Sequence, residues 1–455
     1  MNTDSSSHNG LPETAAPRAA TVRLSIMMFL EFFIWGAWYV TVGNYMRVHQ
    51  MGEVIYWAYT VGPIAAIISP FFLGMVADRF FSTERVLVVM HVVGGAALFA
   101  APFLTPRDGG SHWPFIGILL LHMLCYMPTL GLTNTLAFHN LPNREKQFPI
   151  VRVFGTLGWI AANIVVSKVM NADELPQQFY VAGGAAVALG LFSFVLPHTP
   201  PPAKGKSVSV RDVLGLDALV LMKDRSFTVF IVSSFLICIP LAAYYNYAPV
   251  FADAAGLHNP AYNLSFGQWT EVVFMLLMPL FFVRLGVKKM LLVGMFAWVV
   301  RYGLFSAAAD GGIFWMIMAG VLLHGICYDF YFVTGFIYVD QKAHEKIRGQ
   351  AQGLLVLITQ GLGMLIGAQV IGRLVNRFAS PNAAALAERA KTLREAAGQV
   401  TGVKAQSLWN QASDLLLKAH DWQTIWLVPC IMAAVVAVAF LLLFKDDGTS
   451  HSIEQ

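Results

Sequence analysis

The chain has 455 residues, of which 57% are hydrophobic and only 12% charged, about half the charged share of an ordinary soluble domain. A net charge of +4, interspersed among apolar runs, excludes such a domain and is no nucleic-acid footprint. Runs of about 20 apolar residues, each able to cross a hydrocarbon core about 30 Å thick, recur throughout.

In chain order, residues 1–21 are polar and lack the apolar core of a signal peptide, so they read as a disordered cytoplasmic tail. Apolar runs then fall near 22–44, 54–77, 85–104, 114–138, 150–170 and 178–197. A segment rich in Pro, Lys and Arg, 198–225, reads as a cytoplasmic linker whose VRDVLGLDALVLMK has the periodicity of a surface helix. The runs resume near 226–249, 265–284, 287–307, 313–338, 348–375 and 422–444, and 445–455 forms a second cytoplasmic tail. Backbone polar groups inside a bilayer must be satisfied within their own segment, so these runs are helices. The expectation is an all-α membrane protein of twelve transmembrane helices, with six-helix bundles at 22–197 and 226–444.

Lys and Arg concentrate in alternate connections, whereas the five short connections on the other face carry only Arg47, Arg107 and Lys168. That bias places both termini in the cytoplasm. The segment 377–421 lies on the outer face; its AAALAERAKTLREAAGQV is a mixed-charge helix former, hence an exposed helical insertion, with a lid role as one option. Between the second and third runs stands GMVADRFFSTERVL, with Gly74, Asp78 and Arg79, echoed by PLFFVRLGVKKML in the second half. The first copy resembles the loop signature of the major facilitator superfamily, which implies two duplicated six-helix bundles.

An ionisable side chain near the centre of a membrane helix costs at least about 2.5 to 3.5 kcal/mol, so each needs a reason. Glu271 follows Gln268 by one turn in FGQWTEVVF, and Asp329 lies between Tyr328 and Phe330 in ICYDFYF. Facing a shared cavity, two such carboxylates can carry protons; the competing reading pairs them with Arg152 or Arg301. In FPIVRVFGTLGW, Arg152, Thr156 and Trp159 form one helical stripe offering a cation, a hydroxyl and an indole, suited to a polar aromatic ligand. Its bland alternative is an arginine at the membrane interface. Glu31, with Trp35 and Trp38 at i+4 and i+7, reads as cavity-lining and as a third proton site. His91 and His324 can transfer protons or simply bond a neighbouring helix's carbonyl. Cys125, Cys238, Cys327 and Cys430 share no metal-ligand spacing and read as core residues. Neither a G-x-x-x-x-G-K-[ST] loop nor an H-E-x-x-H or G-x-S-x-G motif occurs, so the expectation is a transporter that is not an enzyme and uses no cofactor or metal.

Several segments together resemble the bacterial nucleoside:proton symporters: FLEFFIWGAWYVTVGNYM, YMPTLGLTNTLAFHNL, FPIVRVFGTLGW, AWVVRYGLF, CYDFYFVTGFIYVD and DWQTIWLVP. The resemblance implies proton-driven nucleoside import across the inner membrane, with nucleoside, proton and membrane lipid as partners of a monomer. It assigns substrate contact to Arg152, Thr156, Trp159, Gln268, Glu271, Tyr328 and Asp329. The family's seventh-helix amides correspond to IPLAAYYNYAPVF, where Tyr245 and Asn246 are the candidates. Glu31 where a neutral amide is expected, and the insertion 377–421, depart from the family pattern. A proton-linked sugar or other polar-metabolite transporter is the second reading, and a non-transporting membrane sensor the third.

Overall fold

The computed structural model describes residues 15–72, 81–107, 109–201 and 215–445. Gly74, Asp78 and Arg79, residues 1–14, residues 202–214 of the linker and residues 446–455 lie outside the described residues. Within them the chain is helical, with one isolated bridge between Ala379 and His420.

The first half comprises α1 (Ala15–Tyr39), the short α2 (Val42–Val48), α3 (Ile55–Phe72), α4 (Thr83–Ala100), α5 (Trp113–Asn140), α6 (Arg144–Asn163) and α7 (Gln177–Phe192). The second comprises α8 (Arg225–Ala254), α9 (Pro260–Ala308), α10 (Phe314–Leu322), α11 (His324–Tyr328), α12 (Thr334–Lys342), α13 (Arg348–Val356), α14 (Met364–Arg377), α15 (Ala383–Gly398), α16 (Gly402–Lys418) and α17 (Trp422–Leu443). Short π-helical turns at Asp329–Val333 and Leu357–Gly363 join α11 to α12 and α13 to α14.

Among the described residues eleven helical segments are long and apolar enough to cross a membrane. One of them, α9, has 49 residues, about 74 Å at 1.5 Å per residue and more than twice a hydrocarbon core. It breaks at Gly286, where φ is 68° and ψ 176°, a conformation open to glycine because it has no Cβ. The arms 260–285 and 287–308 coincide with the eighth and ninth predicted runs.

One expectation needs correction. The first helix starts at Ala15, inside the predicted tail, because AAPRAAT contains strong helix formers. In the linker Leu216–Lys223 forms a 3-10 helix after Gly215, and residues 210–214 of the expected surface helix lie outside the described residues. The insertion is a hairpin, α15 packed on α16, so its amphipathic faces cover each other.

Packing separates two groups. In the first half α1 lies along α6, and α4 packs on α5 and α7; in the second, α9 packs on α10, α11 and α17, and α8 on α14 and α17. The α1 and α6 backbones touch because Gly158 has no side chain: a Cβ there would sit 2.1 Å from the Phe29 carbonyl oxygen. The halves meet along α3 and α14, α6 and α9, and α2 and α8. Helix starts use local acids, since Asp224 accepts from the Phe227 N–H at 2.8 Å and Asp421 from the Thr424 N–H at 3.0 Å.

Candidate functional site

Between the halves lies a cavity of about 530 Å³, within the range of small-molecule sites. From the first half it takes Phe32, Trp35 and Tyr39 of α1 together with Arg152, Thr156 and Trp159 of α6. From the second it takes Tyr245 of α8, Gln268 and Glu271 of α9, and His324 and Tyr328 of α11. The stripe read from FPIVRVFGTLGW therefore faces the cavity as a unit, opposite the Gln268 and Glu271 pair.

Close backbone approaches hold these groups in place. A Cβ on Gly155 would fall 2.7 Å from an Arg152 guanidinium nitrogen and 2.8 Å from the Phe32 ring, so this glycine makes the space in which Arg152 lies over Phe32 at 4.2 Å. Such a contact adds cation–π attraction and leaves guanidinium donors free for a ligand. Trp159 meets Trp35 edge-on with centroids 5.5 Å apart, and both indole N–H groups are buried without a partner among the described residues.

On the opposite wall, a Cβ on Gly325 would fall 2.5 Å from the Thr270 carbonyl, and one on Gly267 2.9 Å from the His324 Cβ. The Thr270 hydroxyl also accepts from the Gly325 N–H at 3.2 Å. This tight crossing of α11 over α9 puts His324 Nε2 3.7 Å from Glu271 Oε2. The imidazole stacks on Tyr244 at 5.3 Å and on Tyr328 at 6.0 Å, and its Nδ1 has no partner among the described residues. Sequence reasoning gave His324 only a minor place, although its i, i+4 relation to Tyr328 was the available signal.

Other anticipated residues point elsewhere. Asp329 is fully buried in the π turn, does not line the cavity, and has no partner for either oxygen among the described residues. Its expected pairing with Arg301 is absent there: Arg301 donates from Nε to the Gly320 carbonyl at 3.0 Å and lies over the Tyr244 ring at 4.2 Å. Asn246 is likewise buried away from the cavity, with its amide unpartnered among the described residues. Nor does Glu31 line it. It accepts from the Thr129 hydroxyl at 2.6 Å and lies 3.0 Å from His91 Nε2, inside the first half. The cavity-lining reading of Glu31 is thus replaced by a buried contact among α1, α4 and α5. The bundle supplies partners that the local stripe could not reveal.

The cavity extends along Ser69, Pro70, Asn134, Phe336 and Val356 toward the face that carries the linker. Toward the opposite face it narrows to a pocket of about 20 Å³ beside Val40, Ala261 and Ser265, room for about one water. Among the described residues no group of His, Cys, Asp and Glu is arranged to hold a metal ion.

The family model described as "Nucleoside H+ symporter" matches residues 19–449. The putative nucleoside transporter YegT of Escherichia coli (strain K12) is 37% identical over 437 residues, 94% of each chain. The xanthosine permease of the same organism is 32% identical over 454 residues, covering 95% of this chain and 98% of the permease. Among solved structures, the crystal structure of nucleoside transporter NupG matches with a TM-score of 0.76 at 27% identity, over 94% of this chain and 99% of that one.

Proposed function

Because the chain belongs to the nucleoside H+ symporter family, we propose that it imports nucleosides with protons across the bacterial inner membrane by alternating access to one central cavity. The observation that carries this reading is the facing of two unlike walls across that cavity. The first half offers a fixed cation, a hydroxyl and an indole in Arg152, Thr156 and Trp159; the second offers an amide, a carboxylate and a phenol ring in Gln268, Glu271 and Tyr328. A nucleoside has an aromatic base to stack and ribose hydroxyls to bond, and it carries no net charge to neutralise. Aromatic faces thus supply packing area while a few convergent polar groups fix orientation.

Arg152, Thr156 and Gln268 are the proposed hydrogen-bonding contacts, with Trp159, Tyr245 and Tyr328 as packing surfaces. Glu271 is the proposed proton carrier, and His324 at 3.7 Å shares or positions that proton. Asn246, Asp329 and Glu31 stand outside this direct-contact set. The arms of α9 complete twelve crossings, six in 22–197 and six in 226–444. The Lys and Arg bias puts the linker face and both termini in the cytoplasm, and the transporter works as a lipid-embedded monomer. The cavity is then open inward and closed outward.

Uptake of radiolabelled uridine into proteoliposomes, with and without an inward-acid gradient, tests the reading. Gradient-dependent accumulation is expected. Accumulation of a sugar with no gradient-driven uptake of any nucleoside would refute it.

A further inference from the structure

Four charged residues meet on the face opposite the linker, and they come from three parts of the chain. Arg47 ends α2, Glu174 lies between α6 and α7, Asp253 lies in the last turn of α8, and Arg394 belongs to α15 of the insertion. Arg47 Nη2 contacts Glu174 Oε1 at 2.5 Å and also Asp253 Oδ2. Arg394 Nη1 reaches the same Glu174 oxygen at 2.9 Å and Asp253 Oδ2 at 2.9 Å, while its Nη2 donates to the Asp253 backbone carbonyl at 3.1 Å. Each arginine therefore bridges a carboxylate of the first half and one of the second.

The charge balance gives the insertion a specific task. Glu174 and Asp253 against Arg47 alone leave one negative charge in excess at a seam where Asp253 is almost fully buried. An uncompensated charge in such a place strongly opposes closure. Arg394 cancels it, and the insertion holds the guanidinium in place by laying it over Trp409 of α16 at 4.4 Å. Trp409 is itself anchored on the second half, stacked on His258 at 4.1 Å. α15 also packs on α2, and α16 on α8, so the hairpin spans both halves.

We propose that the insertion is a latch on the outer gate: Arg394 neutralises and bridges Glu174 and Asp253 to hold the outward face shut, and it must release at least one of them each time that face opens. The latch rests on the alternating-access reading but not on the identity of the substrate. Its strength then sets the balance between the inward-open and outward-open forms, with the carboxylate pair as the seat of a cation carried by the chain itself.

The test places a cysteine at Ser265, which is buried and lines the small outer pocket. Its reaction with a membrane-impermeant maleimide is followed from the outer face of right-side-out vesicles, with the background of the parent chain subtracted. Arg394→Gln is expected to raise the labelling rate about tenfold, corresponding to ~1.4 kcal/mol removed from the closed form. Glu174→Gln, which cuts the same bridge from the other side, is expected to raise it as well. A wild-type rate in both variants, each eluting as a folded protein, would overturn the latch. Since labelling needs no transported substrate, that result is distinct from a failure of nucleoside uptake.

Discussion

Glu271→Gln should convert concentrative uptake into equilibration. Among the described residues Glu271 is the one carboxylate that lines the cavity, because Asp329 and Glu31 are buried elsewhere. One acid carrying one proton couples transport to about 2.3 kcal/mol per 100 mV of membrane potential, which sustains about a fifty-fold nucleoside gradient at 1.4 kcal/mol per decade. The amide keeps the shape of the acid and can still approach His324, so binding should survive while proton release is lost. Steady-state accumulation at an imposed 100 mV should therefore fall from about fifty-fold to the equilibrium value, while exchange of internal for external uridine persists. If Glu271→Gln accumulates uridine like the wild type, the assignment is wrong. A wild-type ratio nearer the square of fifty would mean that two protons move, returning Asp329 to the coupling scheme.

Trp159→Ala removes the ring that meets Trp35 edge-on; base stacking on an aromatic ring contributes about 1 to 3 kcal/mol, so the half-saturation concentration for uridine should rise about tenfold or more, with proton dependence kept. Glu31→Gln alters a contact inside the first half, at Thr129 and His91; its expected signature is a lower melting temperature with the coupled uptake ratio unchanged, and a changed ratio would place Glu31 in the proton path. At the outer seam, burial pushes the Asp173 carboxyl up from its ordinary 3.8 to about 7, although the Ser167 hydroxyl bonds it at 2.6 Å. The folded form thus binds this proton more tightly than the unfolded chain does, so the stabilisation is complete below about pH 4 and is lost as pH rises through 7. Asp173→Asn should flatten that part of the melting-temperature profile, and an unchanged slope between pH 5 and pH 7 would refute the assignment.

How much of the site is legible in the sequence depends on how local each signal is. Arg152, Thr156 and Trp159 lie on one uninterrupted helix, so a period of 3.6 residues is enough to place them together on the cavity wall. Gln268 and Glu271 succeed for the same reason. Tyr245 and Asn246 point about 100° apart on one helix, and of the two it is Tyr245 that lines the cavity. Asp329 departs from its expected place because it follows Tyr328 about 100° further round the helix, so the ring lines the cavity while the carboxylate is buried away from it. The partners of Glu31 come from α4 and α5, and no pattern within its own run could name them.

The proposed site also gives a reason why a proton and a neutral solute would travel together through this cavity. Closing the linker face would seal Glu271 from water, and a sealed carboxylate without a counter-charge costs several kcal/mol. Two groups can meet that need: a proton, or Arg152 on the opposite wall of the cavity. On the proposed contacts, a nucleoside bonded to the guanidinium would occupy Arg152 and leave the proton as the remaining partner, whereas the empty cavity would leave Arg152 available to Glu271. Loaded closure then takes the proton and unloaded closure does not. On the closed outer face the same requirement is met by the chain itself, because Arg47 and Arg394 balance Glu174 and Asp253. On this proposal one seam closes on fixed charges and the other on charges that substrate and proton supply, and that asymmetry would give the cycle its coupling.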